Sequence, residues 1–172
     1  VEVFGGLDLA FNNAGIGPDG VRSPFCPLTD LSAEDFDAQV RTNLRGVFLC
    51  MKYELTQMKV QGRGGAIVNT SSVGGIRMVP NFGAYGPTKA AINAMTQTAA
   101  LENGQFGIRI NSVCPGPTLG TVLMDNNIAS GEERGKKEAP GSFAPLRKPG
   151  QTEDVANAVL WLLSDQAGHV TG

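Results

Sequence analysis

Tyr85 and Lys89 lie four residues apart in Ala84-Tyr85-Gly86-Pro87-Thr88-Lys89-Ala90, and Ser72 lies thirteen residues upstream. On a helix an i, i+4 pair shares one face, so the Lys89 ammonium is expected beside the Tyr85 phenol, favouring its ionised form. A free phenol, with a pKa of about 10, is a poor base at neutral pH. Bringing it to roughly 7 takes a shift of about three units, or ~4 kcal/mol, which one cation in a partly dry cleft supplies. Ser72, at the end of an apolar, strand-like run, would then orient a substrate oxygen. Such a set moves protons, and its natural complement is a hydride.

A lone Tyr-x-x-x-Lys is common on solvent-facing helices, so its company decides the reading. Asn12-Asn13-Ala14-Gly15, Asn43-Leu44-Arg45-Gly46, Ser72, Tyr85, Lys89 and Cys114-Pro115-Gly116 follow one another along the chain. In these motifs and their order the chain resembles the short-chain dehydrogenase/reductase family over nearly its whole length. The resemblance implies an oxidoreductase that uses NAD or NADP to interconvert a small-molecule alcohol and a ketone or aldehyde. It makes Tyr85 the general acid/base, Ser72 the polariser of the substrate oxygen, and Lys89 the group that lowers the tyrosine pKa and holds the nicotinamide ribose. It makes Asn43 the support of a water-mediated proton relay. Asn12, Ala14 and Gly15 would line the cofactor cleft, and Pro115 and Gly116 would border the nicotinamide. The family's usual threonine four residues after the Pro-Gly glycine is replaced by Gly120, which leaves Thr118 and Thr121 as neighbours for the carboxamide. The resemblance also implies a homo-oligomer, dimer or tetramer, packed through the helices that carry Asn43 and Tyr85. A substrate lid is implied at about residues 120–145.

The elements that must position these residues are legible in outline. Leu7-Asp8-Leu9-Ala10-Phe11 reads as a short buried strand closed by Asn12-Asn13, and the Pro- and Gly-rich stretch Gly17 to Thr29 as a loop. Ser32 with Asp35 signals a helix start, and Phe36, Val40, Leu44, Val47 and Phe48 follow at helical spacing, predicting one helix to about Lys59. Ala66 to Asn69 is a second strand, about Gly83 to Gln105 a second helix with Pro87 in its first turn, and Ile108 to Val113 a third strand. Thr152 is the expected N-cap of a helix to about Ser164, with Glu153 and Asp154 at the dipole's positive end. This alternation predicts an α/β fold, a Rossmann-like, doubly wound parallel sheet with helices on both faces.

One expected part is not found. Neither Gly62-Arg63-Gly64-Gly65 nor Gly74-Gly75 fits strand, Gly-x-Gly-x-x-Gly, helix, the arrangement that holds a dinucleotide pyrophosphate. Residues 1–6 resemble a helix end entering the family's fourth strand, and Gly168 to Gly172 resembles the lead-in to its last. The expectation is therefore a single partial domain over residues 1–172, without the first βαβ nucleotide-binding half or the last strand. A second reading follows from it: a folded, noncatalytic fragment or interaction module that does not bind the cofactor alone.

Composition narrows the classes. With 41% hydrophobic residues the chain has enough apolar material for a core, and a formal charge of −2 with no basic block longer than Lys136-Lys137 gives no footprint for nucleic acid. No apolar run approaches the ~20 residues of a membrane span. A single histidine, His169, and no clustered cysteines argue against a metal site. Cys26, Cys50 and Cys114 show no paired spacing, which predicts reduced, buried thiols in a cytoplasmic protein. Asn69-Thr70-Ser71 matches a glycosylation pattern but ends a predicted strand, and is discounted. Ser130 to Glu138 is charged and nearly free of apolar residues, which predicts a mobile surface segment.

Overall fold

Three strands, β1 (Leu9–Asn12), β2 (Gly65–Thr70) and β3 (Ile108–Val113), lie side by side in chain order as a parallel sheet. They are seen in a computed structural model that describes residues 1–133 and 139–172. Leu9 stands opposite Ala66, and Gly65 opposite Ile108. Parallel neighbours require crossovers. Helices α1 (Ala33–Gln39) and α2 (Gly46–Gln61) make the first, and α3 (Tyr85–Asn103) the second. Helices α4 (Val122–Glu133) and α5 (Thr152–Leu163) follow β3. This is the Rossmann-like α/β architecture expected from the strand–helix alternation.

Successive residues of a strand face opposite sides, and β2 is buried on both. Ile67 packs with Val47, Met51, Met58 and Ile92 of α2 and α3 in the main core, and Asn69 on the same side bonds to α2 and α3. Ala66 and Val68 therefore face the side crossed by α5, which touches all three strands. Arg109 of β3 fixes the end of α5 by donating to the carbonyls of Leu162 at 2.7 Å, Leu163 at 3.3 Å and Ser164 at 3.0 Å. These are last-turn acceptors that no helical N–H reaches. β1 is an edge strand, and its Leu9 and Phe11 are exposed. Beyond β3, Gly172 donates its N–H to Ile110 O at 2.9 Å, so the terminal residues run along the other edge.

Several expectations need correcting. The helix read from Ser32 to about Lys59 is divided: Ser32 caps α1 by accepting from Asp35 N at 3.0 Å, but residues Val40–Arg45 form a wider, π-type turn before α2. The extra residue rotates the helix, so its inward face is Gln39, Asn43, Val47 and Met51, while Phe36 and Phe48 point outward. Helix α5 is capped by Gln151, not Thr152, since Gln151 N donates to the Asp154 carboxylate at 2.8 Å and the Gln151 side chain accepts from Asp154 N in return. The segment expected to be mobile is in part helical, as α4; the rest of it, residues 134–138, lies outside the described residues. The three thiols are free, but Cys50 is exposed and the other two are only half-buried. Asn69 is wholly buried, which leaves its amide no access to a modifying enzyme.

Candidate active site

The site forms where β2 and β3 end and α3 begins. Ser72 follows β2 in extended conformation, and its Oγ accepts from Gly74 N at 3.0 Å, starting the short 3-10 turn Val73–Gly75. That turn lies directly on the first turns of α3. A Cβ on Gly75 would stand 2.7 Å from the Lys89 carbonyl carbon, so only glycine permits the approach that brings Ser72 to Tyr85. Ser71 Oγ donates to Lys89 O at 2.8 Å and ties the strand end to the same helix. The Ser72 hydroxyl stands close enough to the Tyr85 phenol to oppose the rise of its pKa.

Lys89 is 3% exposed, and its Nζ donates to Thr70 O at 2.8 Å while standing 5.6 Å from the centre of the Tyr85 ring. Burial lowers its pKa to about 8, with the Cys114 sulfur pulling the other way. Burial also pushes the Tyr85 phenol above its ordinary value, and the Ser72 hydroxyl draws it back only in part. The depressed phenol expected from the Tyr85–Lys89 spacing is therefore not what the folded chain presents. Desolvation penalises a phenolate, and here it outweighs the nearby hydroxyl donor.

Asn43 sits in the π-type turn, fully buried. Its Oδ1 accepts from Ile16 N at 2.8 Å, and its Nδ2 donates to Ile16 O at 2.8 Å and to Thr88 Oγ1 at 3.2 Å. It thus clamps the loop after β1 to α3, one residue before Lys89. The wider turn aims this side chain, in keeping with the tendency of π-bulges to occur at functional positions.

Ser72, Tyr85, Lys89, Gly15, Pro115, Gly116 and Thr118 all line one cavity of about 520 Å³, joined by Thr121. Three predicted residues do not line it: Asn43, held behind Ile16 and Thr88, and Asn12 and Ala14. Asn12 turns its amide into a buried network, donating to Asn69 Oδ1 at 2.9 Å and Glu54 Oε2 at 3.0 Å, and Ala14 is exposed beside the cavity. Asn13 lines the wall instead, accepting from Thr70 Oγ1 at 2.8 Å. The Asn12–Asn69–Thr96 network was missed from sequence; the polar Asn69 at the end of an otherwise apolar strand was its only signal. Thr118 Oγ1 donates to Gly116 O at 3.1 Å, whereas Thr121 Oγ accepts from Met124 N at 3.2 Å and caps α4. A second, more apolar cavity of about 1030 Å³ shares Pro115, Gly116, Thr118 and Val155 with the first.

These walls fit a nicotinamide riboside. An ammonium has three donors, and Lys89 uses one, on Thr70 O, leaving two for ribose hydroxyls. A Cβ on Gly15 would lie 3.3 Å from Lys89 Nζ and 3.4 Å from Asn43 Oδ1, so glycine keeps the approach to that ammonium clear. Gly116 has open space where a side chain would be.

Comparison with known proteins agrees with this geometry. The family model described as enoyl-(acyl carrier protein) reductase matches residues 1–172. An uncharacterized oxidoreductase of Thermotoga maritima is 40% identical over 172 residues, covering 100% of this chain and 66% of its own length. A 2,5-dichloro-2,5-cyclohexadiene-1,4-diol dehydrogenase of Sphingobium indicum is 40% identical over 175 residues, with 100% and 66% covered. The crystal structure of levodione reductase superposes with a TM-score of 0.89 at 37% identity, over 99% of this chain and 64% of that one. ElxO with NADP bound gives 0.85 at 37% identity (99% and 65% covered), and NAD+-bound xylitol dehydrogenase 0.87 at 31% (99% and 67%). The chain thus spans slightly less than two thirds of the length of the curated relatives it matches. With matching motifs, fold and relatives, the chain belongs to the short-chain dehydrogenase/reductase family.

Proposed function

We propose that this chain carries the proton-transfer site of an NAD(P)-dependent oxidoreductase that interconverts an alcohol and a ketone or aldehyde. The observation that carries the reading is the convergence of Ser72, Tyr85 and Lys89 on one cavity wall, with Lys89 buried and two of its donors uncommitted. Relatives named for a diol and a diketone, and neighbours holding NADP and NAD+, support the reaction class and leave the choice of cofactor open. The nicotinamide, when bound, accepts or supplies the hydride. Lys89, with Asn13, Gly15, Pro115, Gly116 and Thr118 around it, would hold it.

In reduction, Ser72 donates a hydrogen bond to the carbonyl oxygen and Tyr85 delivers the proton as that oxygen gains negative charge. The Lys89 ammonium then favours the phenolate left behind. In alcohol oxidation each transfer runs backward. A phenol raised by burial is protonated at neutral pH, so the folded chain is prepared for reduction. Asn43 holds the Ile16 backbone and Thr88 in place and keeps the Lys89 side of the cavity rigid. No helix among the described residues is long and apolar enough to cross a membrane. From the family resemblance we infer a homo-oligomer, and a cytoplasmic one.

Titration of the 172-residue chain with NADH and NADPH, followed by nicotinamide fluorescence, tests the reading. Saturable binding that weakens at least about tenfold in Lys89→Met, which keeps the side-chain volume and loses the cation, is expected. Equal binding by the two chains would contradict the assignment of Lys89. The absence of a strand–Gly-rich-turn–helix phosphate site in this sequence favours one alternative, a folded but noncatalytic piece, and no binding by the folded chain would support it.

A further inference from the structure

We propose that the alcohol or carbonyl substrate carries an anionic group, of carboxylate type, and that Arg22 is the residue that reads it. This rests on the reaction class above and narrows it to oxo or hydroxy acids. The loop bearing Arg22 lies against the reacting centre: a Cβ on Gly17 would stand 2.9 Å from Tyr85 Cδ2 and 3.5 Å from Leu123 Cδ1. Arg22 shares the cavity wall with Ser72 and Tyr85, and of the residues lining that cavity only Arg22 and Lys89 are charged. No carboxylate is among the described residues that line it. Lys89 spends one donor on Thr70 O and, on the reading above, its other two on the cofactor ribose, which leaves Arg22 as the cation for a substrate.

The Arg22 guanidinium is held from behind. Its Nε donates to Asp19 Oδ2 at 2.9 Å, and the Asp19 side chain is fully buried while that of Arg22 is 40% exposed. Asp19 also accepts from Val21 N at 3.0 Å, Arg22 N at 2.7 Å and Asn126 Nδ2 of α4 at 3.1 Å. The carboxylate therefore fixes one edge of the guanidinium and anchors the loop to the helix across the cavity. Neither Nη nitrogen has a hydrogen-bond partner among the described residues, so the fork that matches a carboxylate remains open. Leu123 and Met124 form the adjoining apolar wall, which suits a short carbon chain between the reacting carbon and the anion. A loop-ordering ion pair alone would need only the Asp19 contacts; the open fork on the cavity wall is what points to a ligand.

The chain has two tyrosines, and Tyr53 is 65% exposed on α2, so tyrosine-selective isotope labelling gives one site probe and one internal control. The chain is titrated with 3-hydroxybutyrate, with its methyl ester, and with inorganic phosphate. The acid is expected to shift the Tyr85 resonance saturably, at least about tenfold tighter than the ester, while Tyr53 stays still. Arg22→Gln should abolish that preference, and Arg22→Lys should restore part of it by returning charge without the fork. Equal affinity for acid and ester, or a preference that survives Arg22→Gln, would overturn the proposal and leave the oxidoreductase reading standing. Phosphate binding as tightly as the acid at Arg22 would also overturn it, by assigning this cation to a cofactor phosphate. A Tyr85 resonance unmoved by acid or ester would refute the anchor as well, with the NADH titration judging the broader reading separately.

Discussion

Lys89 is buried beside a half-buried Tyr85, and desolvation moves the two pKa values in opposite senses. Lys89 titrates at about 8 and is charged below that. As pH rises through about 8 the ammonium that favours the Tyr85 phenolate is lost, before Tyr85 itself ionises. Carbonyl reduction by the active protein carrying this chain is therefore expected to fall above pH 8, and Lys89→Arg should move the limb upward while weakening turnover. A reduction rate flat to pH 10 would show that Lys89 does not assist the proton. The residue types of this site were legible because Tyr, Lys and Ser carry their chemistry in their spacing. The sign of the phenol's shift was not, because desolvation depends on packing that a spacing does not encode.

At the scale of elements, two loops are pinned across the cavity by single buried side chains. Asn43→Ala would leave the Ile16 N–H and carbonyl without partners, and a loss of about 1–3 kcal/mol in chemical denaturation is expected; an unchanged midpoint would mean the loop does not depend on the clamp. Asp19 links its loop to α4. Burial alone would raise its pKa, but hydrogen bonds from the backbone and side chain of Arg22, from Val21 and from Asn126 carry it down to about 2. A depressed carboxyl stabilises the fold above the ordinary value of 3.8, and that contribution is lost as pH falls toward 2. Asp19→Asn is thus expected to cost about 2 kcal/mol at neutral pH and to flatten the loss of stability between about pH 4 and 2. Acid unfolding identical to the parent's would remove Asp19 from that role. Helix existence was legible from periodicity. The π-type turn at Val40–Arg45 was not, because it inserts a residue without any Gly or Pro to announce it, and it turned Phe36 and Phe48 outward against the expected pattern.

For the whole molecule, the exposed apolar surface carries the consequence. Phe48 on α2, Leu101 on α3, and Leu9 and Phe11 on the β1 edge are exposed, as are further large apolar side chains such as Phe4 and Trp161. Unpaired strand edges and apolar helix faces favour association. Sedimentation velocity at micromolar concentration should find dimers or larger species, and a strict monomer would count against a homo-oligomer. The parallel sheet was legible because β2 is a largely apolar run and β3 an alternating one, separated by a helix-length segment. The helix α4 was not, since residues 120–145 were expected only as a lid, by resemblance, with Ser130 to Glu138 as charged surface; the residues of α4 that line the cavity are Val122, Leu123 and Met124. The central claim is that Tyr85 moves the proton coupled to hydride transfer. Tyr85→Phe in the active protein carrying this chain tests it most directly, with turnover and NAD(P)H affinity measured on the same preparation. The prediction is a loss of turnover of about 100-fold or more with cofactor affinity nearly unchanged; turnover retained by the variant would contradict the account.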